Sequence, residues 1–496
     1  MGIIRRQELL LFSGAFVVEL LFGLLMVLTW GTAFCSGDAI YHQYIPRLVA
    51  ETGDLRHLGV LWLPFLHILL IPLVRHDFLY TTGLAGTVVS ALATGLACVF
   101  LYRLVGDGEP GLAAPFVLMC NVFTLIHGAT SMMEQWAMAF LLAAAYYLRR
   151  YLASGRAADF LKCSAAFCLG CLTRYEVWPP AALAALTCLI KEARSGRRAR
   201  LLLSPLPLLG SASWLGWNYY LTGDPLMFLH HPLGPQFWNR VPGRWYASPY
   251  LALPAALAMI YSASGLMLVP AIREARGLLR AKELPTLLAA GVLLSPALFH
   301  MALAPTIFFF GSLRYFYVSV PGLIYLAYLY YREKLGQEAG KPWVLAKALV
   351  MLMLPAYPLH AFTLAYGMFP GIYLRDVREH MIELRAIAAE IGDGTVLVGT
   401  DKATWLSVLG GLSPSQIVNR DDDCFLEAME EPWRYVDFVL IVRMADHPLL
   451  PAFNEVYGGR FYIYRYYYDP SWRSEFLSHF EAVLATKHYL LFALRE

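Results

Sequence analysis

Runs of mostly apolar residues, near the length of about 20 that carries a helix across a bilayer, recur through the first three quarters of the chain. Eleven segments qualify: 9–30, 78–102, 110–127, 133–149, 160–177, 178–191, 201–220, 249–271, 285–304, 307–331 and 343–365. The pattern predicts an α-helical polytopic membrane protein of about eleven transmembrane helices. Between the first two lies a long polar loop, 31–77, within which Leu61 to Val74 is apolar but short and broken by Pro64 and Pro72. That stretch predicts an interfacial or half-inserted helix.

The polar connections differ sharply in charge. Four alternate loops hold Arg149, Arg150, Arg156 and Lys162; Lys191, Arg194, Arg197, Arg198 and Arg200; Arg273, Arg276, Arg280 and Lys282; and Arg332, Lys334, Lys341 and Lys347. The loops facing them between 128 and 320 carry Arg174, Arg240, Arg244 and Arg314. By the positive-inside rule the N-terminus and the basic loops are cytoplasmic, and loop 31–77 is external. A crossing by Leu61–Val74 would reverse every later loop, against the charge count. Loop 221–248, rich in His, Pro, Gly and Trp, is external as well.

From about residue 371 the pattern becomes that of a soluble domain. Arg375 to Glu390 has helical spacing, Gly392-Asp393-Gly394 breaks it, and Thr395 to Gly399 reads as a buried strand. Tyr435–Val442, Phe461–Tyr468 and Tyr489–Leu494 read as further strands. The organisation is thus a transmembrane domain over 1–370 and a small extracytoplasmic α/β domain over 371–496, without internal repeats or low-complexity segments.

Composition agrees with the bilayer assignment. Of 496 residues, 58% are hydrophobic and 15% charged, against about 25% charged in soluble proteins, and the mean hydropathy is +0.52. A net charge of +3 is too small to argue for nucleic acid. The first run follows Arg5-Arg6 like a signal peptide, but its length and the lack of an Ala-x-Ala site predict a retained helix. Six of the eight cysteines lie in or beside apolar segments and read as packing, the Cys168–Cys171 pair included.

Ionisable residues at membrane depth are costly and point to function. Asp38, in Ser36-Gly37-Asp38-Ala39-Ile40-Tyr41-His42, sits just outside the first span, placed to act as a base on a substrate arriving from the lipid. Glu134 opens the fourth span on the same outer side, where the helix dipole also favours a carboxylate. Arg174-Tyr175-Glu176 ends the fifth span, its bland reading an internal ion pair. Arg314 lies within the tenth span, and its planar fork suits a phosphate. His230 and His231 follow the Gly223-Asp224-Pro225 turn. Adjacent histidines lack the i, i+4 spacing of a helical metal site, and no metal ligand set is assigned. Asp421-Asp422-Asp423 reads as a solvated turn.

As an ordered set, Gly37-Asp38, the Pro64 to Leu70 half helix, Ser131-Met132-Met133-Glu134, Leu172-Thr173-Arg174-Tyr175-Glu176, Trp217-Asn218-Tyr219 with Gly223-Asp224-Pro225-Leu226, and Leu313-Arg314-Tyr315 resemble the GT-C glycosyltransferases. The likeness spans residues 1–335 and is greatest to the branch of protein O-mannosyltransferases and lipid A aminoarabinose transferases. The Trp-Trp-Asp signature of oligosaccharyltransferases is absent, which argues against N-glycosylation. The resemblance implies an inverting glycosyltransferase using a polyprenyl-phosphate-linked sugar and a lipid, glycan or protein hydroxyl, on the outer face of the cell membrane. Asp38 would be the base and Arg174 and Arg314 the donor-phosphate ligands, with Glu134 orienting Arg174 or the acceptor. Glu176, Tyr41, His42, His230 and His231 would line the substrate site. The same charged cavity could instead serve a transporter or flippase of a lipid-linked glycan.

Overall fold

A computed structural model describes residues 6–106, 108–231, 249–303, 316–336, 340–358, 374–399, 402–419, 422, 424–443, 450–457 and 459–495. Arg314, Arg240, Arg244, Asp421 and Asp423 lie outside the described residues. The first half contains helices α1 (Arg6–Trp30), α2 (Gly37–Thr52), α3 (Phe65–Leu70), α4 (Asp77–Thr82), α5 (Leu84–Val105), α6 (Ala113–Met119), α7 (Val122–Gly128), α8 (Glu134–Ser154), α9 (Ala157–Cys171) and α10 (Trp178–Arg194). They are followed by α11 (Arg198–Leu201), α12 (Leu209–Thr222), α13 (Met227–His230), α14 (Pro249–Ser264), α15 (Leu268–Ala281), α16 (Leu284–Leu303), α17 (Val320–Leu335) and α18 (Pro342–Met353).

Among the described residues, α1, α5 and Leu284–Ala302 of α16 are each long and apolar enough to cross a membrane. Several predicted spans are interrupted instead. Segment 78–102 divides at Gly83, whose φ of +82° is a left-handed value that glycine takes without strain. Segment 110–127 bends by 71° between Glu109–Met119 and Val122–Gly128, where the Asn121 side chain accepts from the Phe123 amide and restarts the helix. Such breaks are tolerated at membrane depth where the freed backbone is buried in protein.

The bundle has two chemically different ends, which α8 links. At its C-terminal end Arg149 donates to the Leu104 carbonyl (2.8 Å), Arg332 to that of Val105 (3.3 Å), and Arg103 pairs with Glu8 (2.7 Å). At its N-terminal end the Ser131 hydroxyl donates to the Ala39 carbonyl (2.6 Å). The basic termini therefore gather at the end opposite Asp38. Gly86 of α5 permits this second contact. A Cβ there would stand 2.4–2.6 Å from Cβ, Cα and N of Ser131.

The C-terminal part forms a five-stranded sheet in the order β2-β1-β3-β5-β4, from β1 (Val396–Leu397), β2 (Ile417–Val418), β3 (Phe438–Val442), β4 (Phe480–Ala485) and β5 (Tyr489–Leu494). Strands β2, β1 and β3 are parallel, and β5 runs antiparallel to β3 and β4. Helix α19 (Leu374–Ile391) precedes the sheet and α20 (Lys402–Trp405) follows β1. The expected strand at Phe461–Tyr468 is instead a helix, Tyr462–Tyr468. Its buried residues, Tyr462 and Ile463, and Tyr466, packed on Phe476 and Phe492, recur at helical spacing, and Tyr462 Oη donates to the Leu440 carbonyl at 2.6 Å. Packing against the interior strands β3 and β5 overrides the strand preference of aromatics. Strands β2 and β4 had no clear alternation to announce them.

This domain is seated on α2 and α4. Tyr80 Oη bonds Ser407 Oγ (2.7 Å), Asn419 donates to Tyr44 Oη (3.1 Å), and Ser413 donates to Glu51 (2.9 Å). The Trp405 indole packs against Gly37, the residue before Asp38.

Candidate functional site

Asp38 stands in the first turn of α2, whose N-cap Ser36 accepts from the Ala39 amide. Helix α2 ends at Gly53 (φ +73°), so the amphipathic stretch after Asp38 and Asp38 itself are one helix. The carboxylate sits at the positive end of the macrodipole. Through Ala39 and Ser131 this turn is tied to the segment that runs into Glu134, three residues on. Ser36 Oγ makes a second tie, 3.6 Å from Met132 Sδ.

Glu134 is fully buried and meets Arg174, whose Nη1 donates to Oε1 at 2.9 Å. The same guanidinium turns Nε and Nη2 to the Glu176 carboxylate, with Nε 3.2 Å from each oxygen. His300, from α16, completes the cluster with Nε2 2.9 Å from Glu176 Oε1. Four ionisable side chains from α8, the α9–α10 turn and α16 thus share one buried place. With the imidazole neutral the cluster carries one negative charge, and with it protonated none.

The turn bearing Arg174 is pinned from several sides. Phe65 N donates to the Leu172 carbonyl, Tyr175 Oη to that of Leu61, and Trp214 Nε1 to Tyr175 Oη, each at 3.0 Å. Helix α3 is thereby held against the α9–α10 turn. Phe228 stacks on Tyr175 with ring centroids 4.7 Å apart, so the stretch leading to His230 and His231 begins beside Arg174.

Tyr41 and His42 lie on α2 with Asp38. His42 is one helical turn on, so its side chain leans back over the turn that holds the carboxylate. It is buried, and its Nδ1 lies 2.9 Å from Nε2 of the fully buried His67 of α3. Trp62 meets the His42 ring edge-on. His67 Nδ1 has no hydrogen-bond partner among the described residues. A stranded N–H is costlier than a stranded lone pair, so the favoured tautomer has His67 Nε2 donating to His42 Nδ1. The His42 Nε2 then bears the proton. Among the described residues no group of three or more His, Cys, Asp or Glu is arranged to hold a metal.

Sequence reasoning missed His67, His300 and Trp405, and also Glu19, buried halfway along α1 with neither oxygen partnered among the described residues. A buried ionisable group inside an apolar run was the available signal for Glu19 and His300. Trp405 had none, because its proximity to Asp38 arises from domain docking.

No family model matches the chain, and neither does any curated protein. Solved structures do. ArnT from Cupriavidus metallidurans bound to undecaprenyl phosphate superposes with a TM-score of 0.56 at 13% identity, over 98% of this chain and 97% of that one. Its apo form gives 0.55 at 14% identity. The apo oligosaccharyltransferase of Archaeoglobus fulgidus gives 0.50 at 13%, covering 89% of this chain and 71% of that one. Both neighbours are GT-C glycosyltransferases, and this chain has the GT-C fold.

Proposed function

We propose that the chain is an inverting glycosyltransferase that moves a sugar from a polyprenyl-phosphate donor to a hydroxyl acceptor on the outer face of the cell membrane. The observation that carries this reading is the meeting, at one end of a GT-C fold, of the Asp38 turn with the buried Glu134–Arg174–Glu176–His300 cluster. This end is opposite the basic termini, which by the positive-inside rule are cytoplasmic. The site and the C-terminal domain are then extracytoplasmic.

In the proposed step an acceptor hydroxyl oxygen attacks the anomeric carbon while Asp38 takes its proton. The bond from that carbon to the phosphate oxygen breaks on the opposite face, and polyprenyl phosphate leaves with the electron pair. Arg314 supplies the phosphate contact. Arg174 already meets a carboxylate at each nitrogen, so its role is to set the charge and position of Glu134, and it reaches the phosphate by exchanging one of these partners. Tyr41, His42, His230 and His231 flank the substrates.

The test is Asp38→Asn in purified enzyme with a polyprenyl-phosphate sugar. Asn keeps size and hydrogen bonding but has no basic oxygen, so turnover falls by about 10²–10⁴-fold, the usual contribution of a positioned base. Donor affinity is unchanged. Wild-type turnover by the variant rules out Asp38 as the base, and movement of intact lipid-linked sugar across a vesicle bilayer without bond cleavage replaces the reading with a flippase.

A further inference from the structure

At the basic end of the bundle, α15 and α17 border an open groove of about 300 Å³ with the turn before α15 and the end of α18. This is at the lower limit of volumes that hold small ligands. One part of its wall is aliphatic, with Leu266, Val269 and Leu352. Leu266 and Val269 are 43% and 50% exposed, an apolar surface that a lipid acyl chain fits. The other part holds two cations, Arg273 and Lys334, and no carboxylate among the described residues lines the groove.

The cations converge on one ring. Arg273 Nη1 lies 3.4 Å from Tyr330 Oη, and Lys334 Nζ lies 5.9 Å from the Tyr330 ring centroid. Their neighbours in sequence, Glu274 and Glu333, are not part of the lining. Helix α15 continues the positive character, because Arg273, Arg276 and Arg280 fall at i, i+3 and i+7 and so share one stripe. An aliphatic wall that ends at a pair of cations at a helix-bundle terminus matches the form of an amphiphile with an anionic head. Basic pockets between helices at this level favour lipid phosphates.

We propose that this groove binds an anionic glycerophospholipid, its phosphate between Arg273 and Lys334 and an acyl chain along Leu266, Val269 and Leu352. The site is separate from the one proposed for sugar transfer and does not depend on that reading. Its occupant acts as a fixed lipid at the junction of α15, α17 and α18.

The test is native mass spectrometry of the full chain from micelles containing equal phosphatidylglycerol and phosphatidylcholine. Wild type should retain phosphatidylglycerol with a preference on the order of tenfold. Replacing both cations, Arg273→Gln with Lys334→Gln, should abolish the preference. Both side chains are exposed, so the fold survives their replacement. Arg276→Gln with Arg280→Gln, on the same helix but outside the groove, should leave the preference intact. Equal retention of the two lipids by wild type overturns the proposal, as does loss of preference in both double variants, which would mean diffuse surface charge. Displacement of the lipid by millimolar inorganic phosphate, or retention of a polyprenyl phosphate in its place, also overturns it.

Discussion

Arg174→Met should destabilise the protein far more than an ordinary surface substitution. The Arg174 side chain is 12% exposed, and those of its partners Glu134 and Glu176 are 1% and 8% exposed. At an effective dielectric of about 20, opposite unit charges 2.9 Å apart attract by about 6 kcal/mol before desolvation is counted. Removing the cation leaves two carboxylates in one buried place. His300 Nε2 stays 2.9 Å from Glu176 Oε1 and cannot replace the lost guanidinium, which met both carboxylates. Breaking a buried pair from one side costs about 3–5 kcal/mol, and this cluster should fall in that range. The assay is thermal unfolding in detergent, followed by tryptophan fluorescence, on Arg174→Met and on a triple variant that adds Glu134→Gln and Glu176→Gln. The single variant should unfold well below wild type, and the triple should recover most of the difference, because the stranded charges are gone. Sugar transfer should remain lost in the triple. Unfolding of Arg174→Met within about a degree of wild type would refute the electrostatic reasoning, and full turnover by the triple would remove the cluster from the mechanism.

Gly86→Ala puts a methyl within 2.4 Å of Ser131, an overpacking cost of about 1–3 kcal/mol. It should lower both stability and turnover, whereas Gly291→Ala, with nothing within 4 Å of the new carbon, should lower neither, as unfolding and transfer assays on the pair will show. In the C-terminal domain, burial opposes ionisation of Glu383, but Thr486 and the amide and ring of His488 outweigh it and hold the carboxyl below its usual range. A depressed carboxyl contributes stability above its unfolded value of about 4.3 that is lost as pH falls through the folded one. Acid unfolding should therefore be less pH-dependent in Glu383→Gln, and unchanged acid sensitivity would exclude this group as a source. Cysteines introduced at the exposed Ser195 and Ser471 should respectively escape and react with an impermeant thiol reagent in intact cells. The eight native cysteines are buried or half-buried and give little background, and the reverse labelling would invert the proposed orientation.

The chain's own pattern indicated a helical, apolar protein with a change of composition near residue 371, because apolar run length and composition are local properties. It also singled out Asp38, Glu134, Arg174 and Glu176, since a charge beside an apolar run stands out wherever it ends up. Tertiary structure decided what these residues do to one another. The Arg174 nitrogens were shared between two carboxylates from different elements, and no spacing in the sequence relates positions 134, 176 and 300. Helix breaks at Gly83 and Asn121 were legible as residue types but not as breaks, because burial by neighbouring helices is what makes a freed backbone affordable there. The aromatic run at 461–468 shows the same limit from the other side: its strand preference is weak beside the packing of Tyr462, Ile463 and Tyr466. Most of all, the seating of Trp405 against Gly37 joins residues more than 360 positions apart, and only the docking of the C-terminal domain on α2 and α4 places them together.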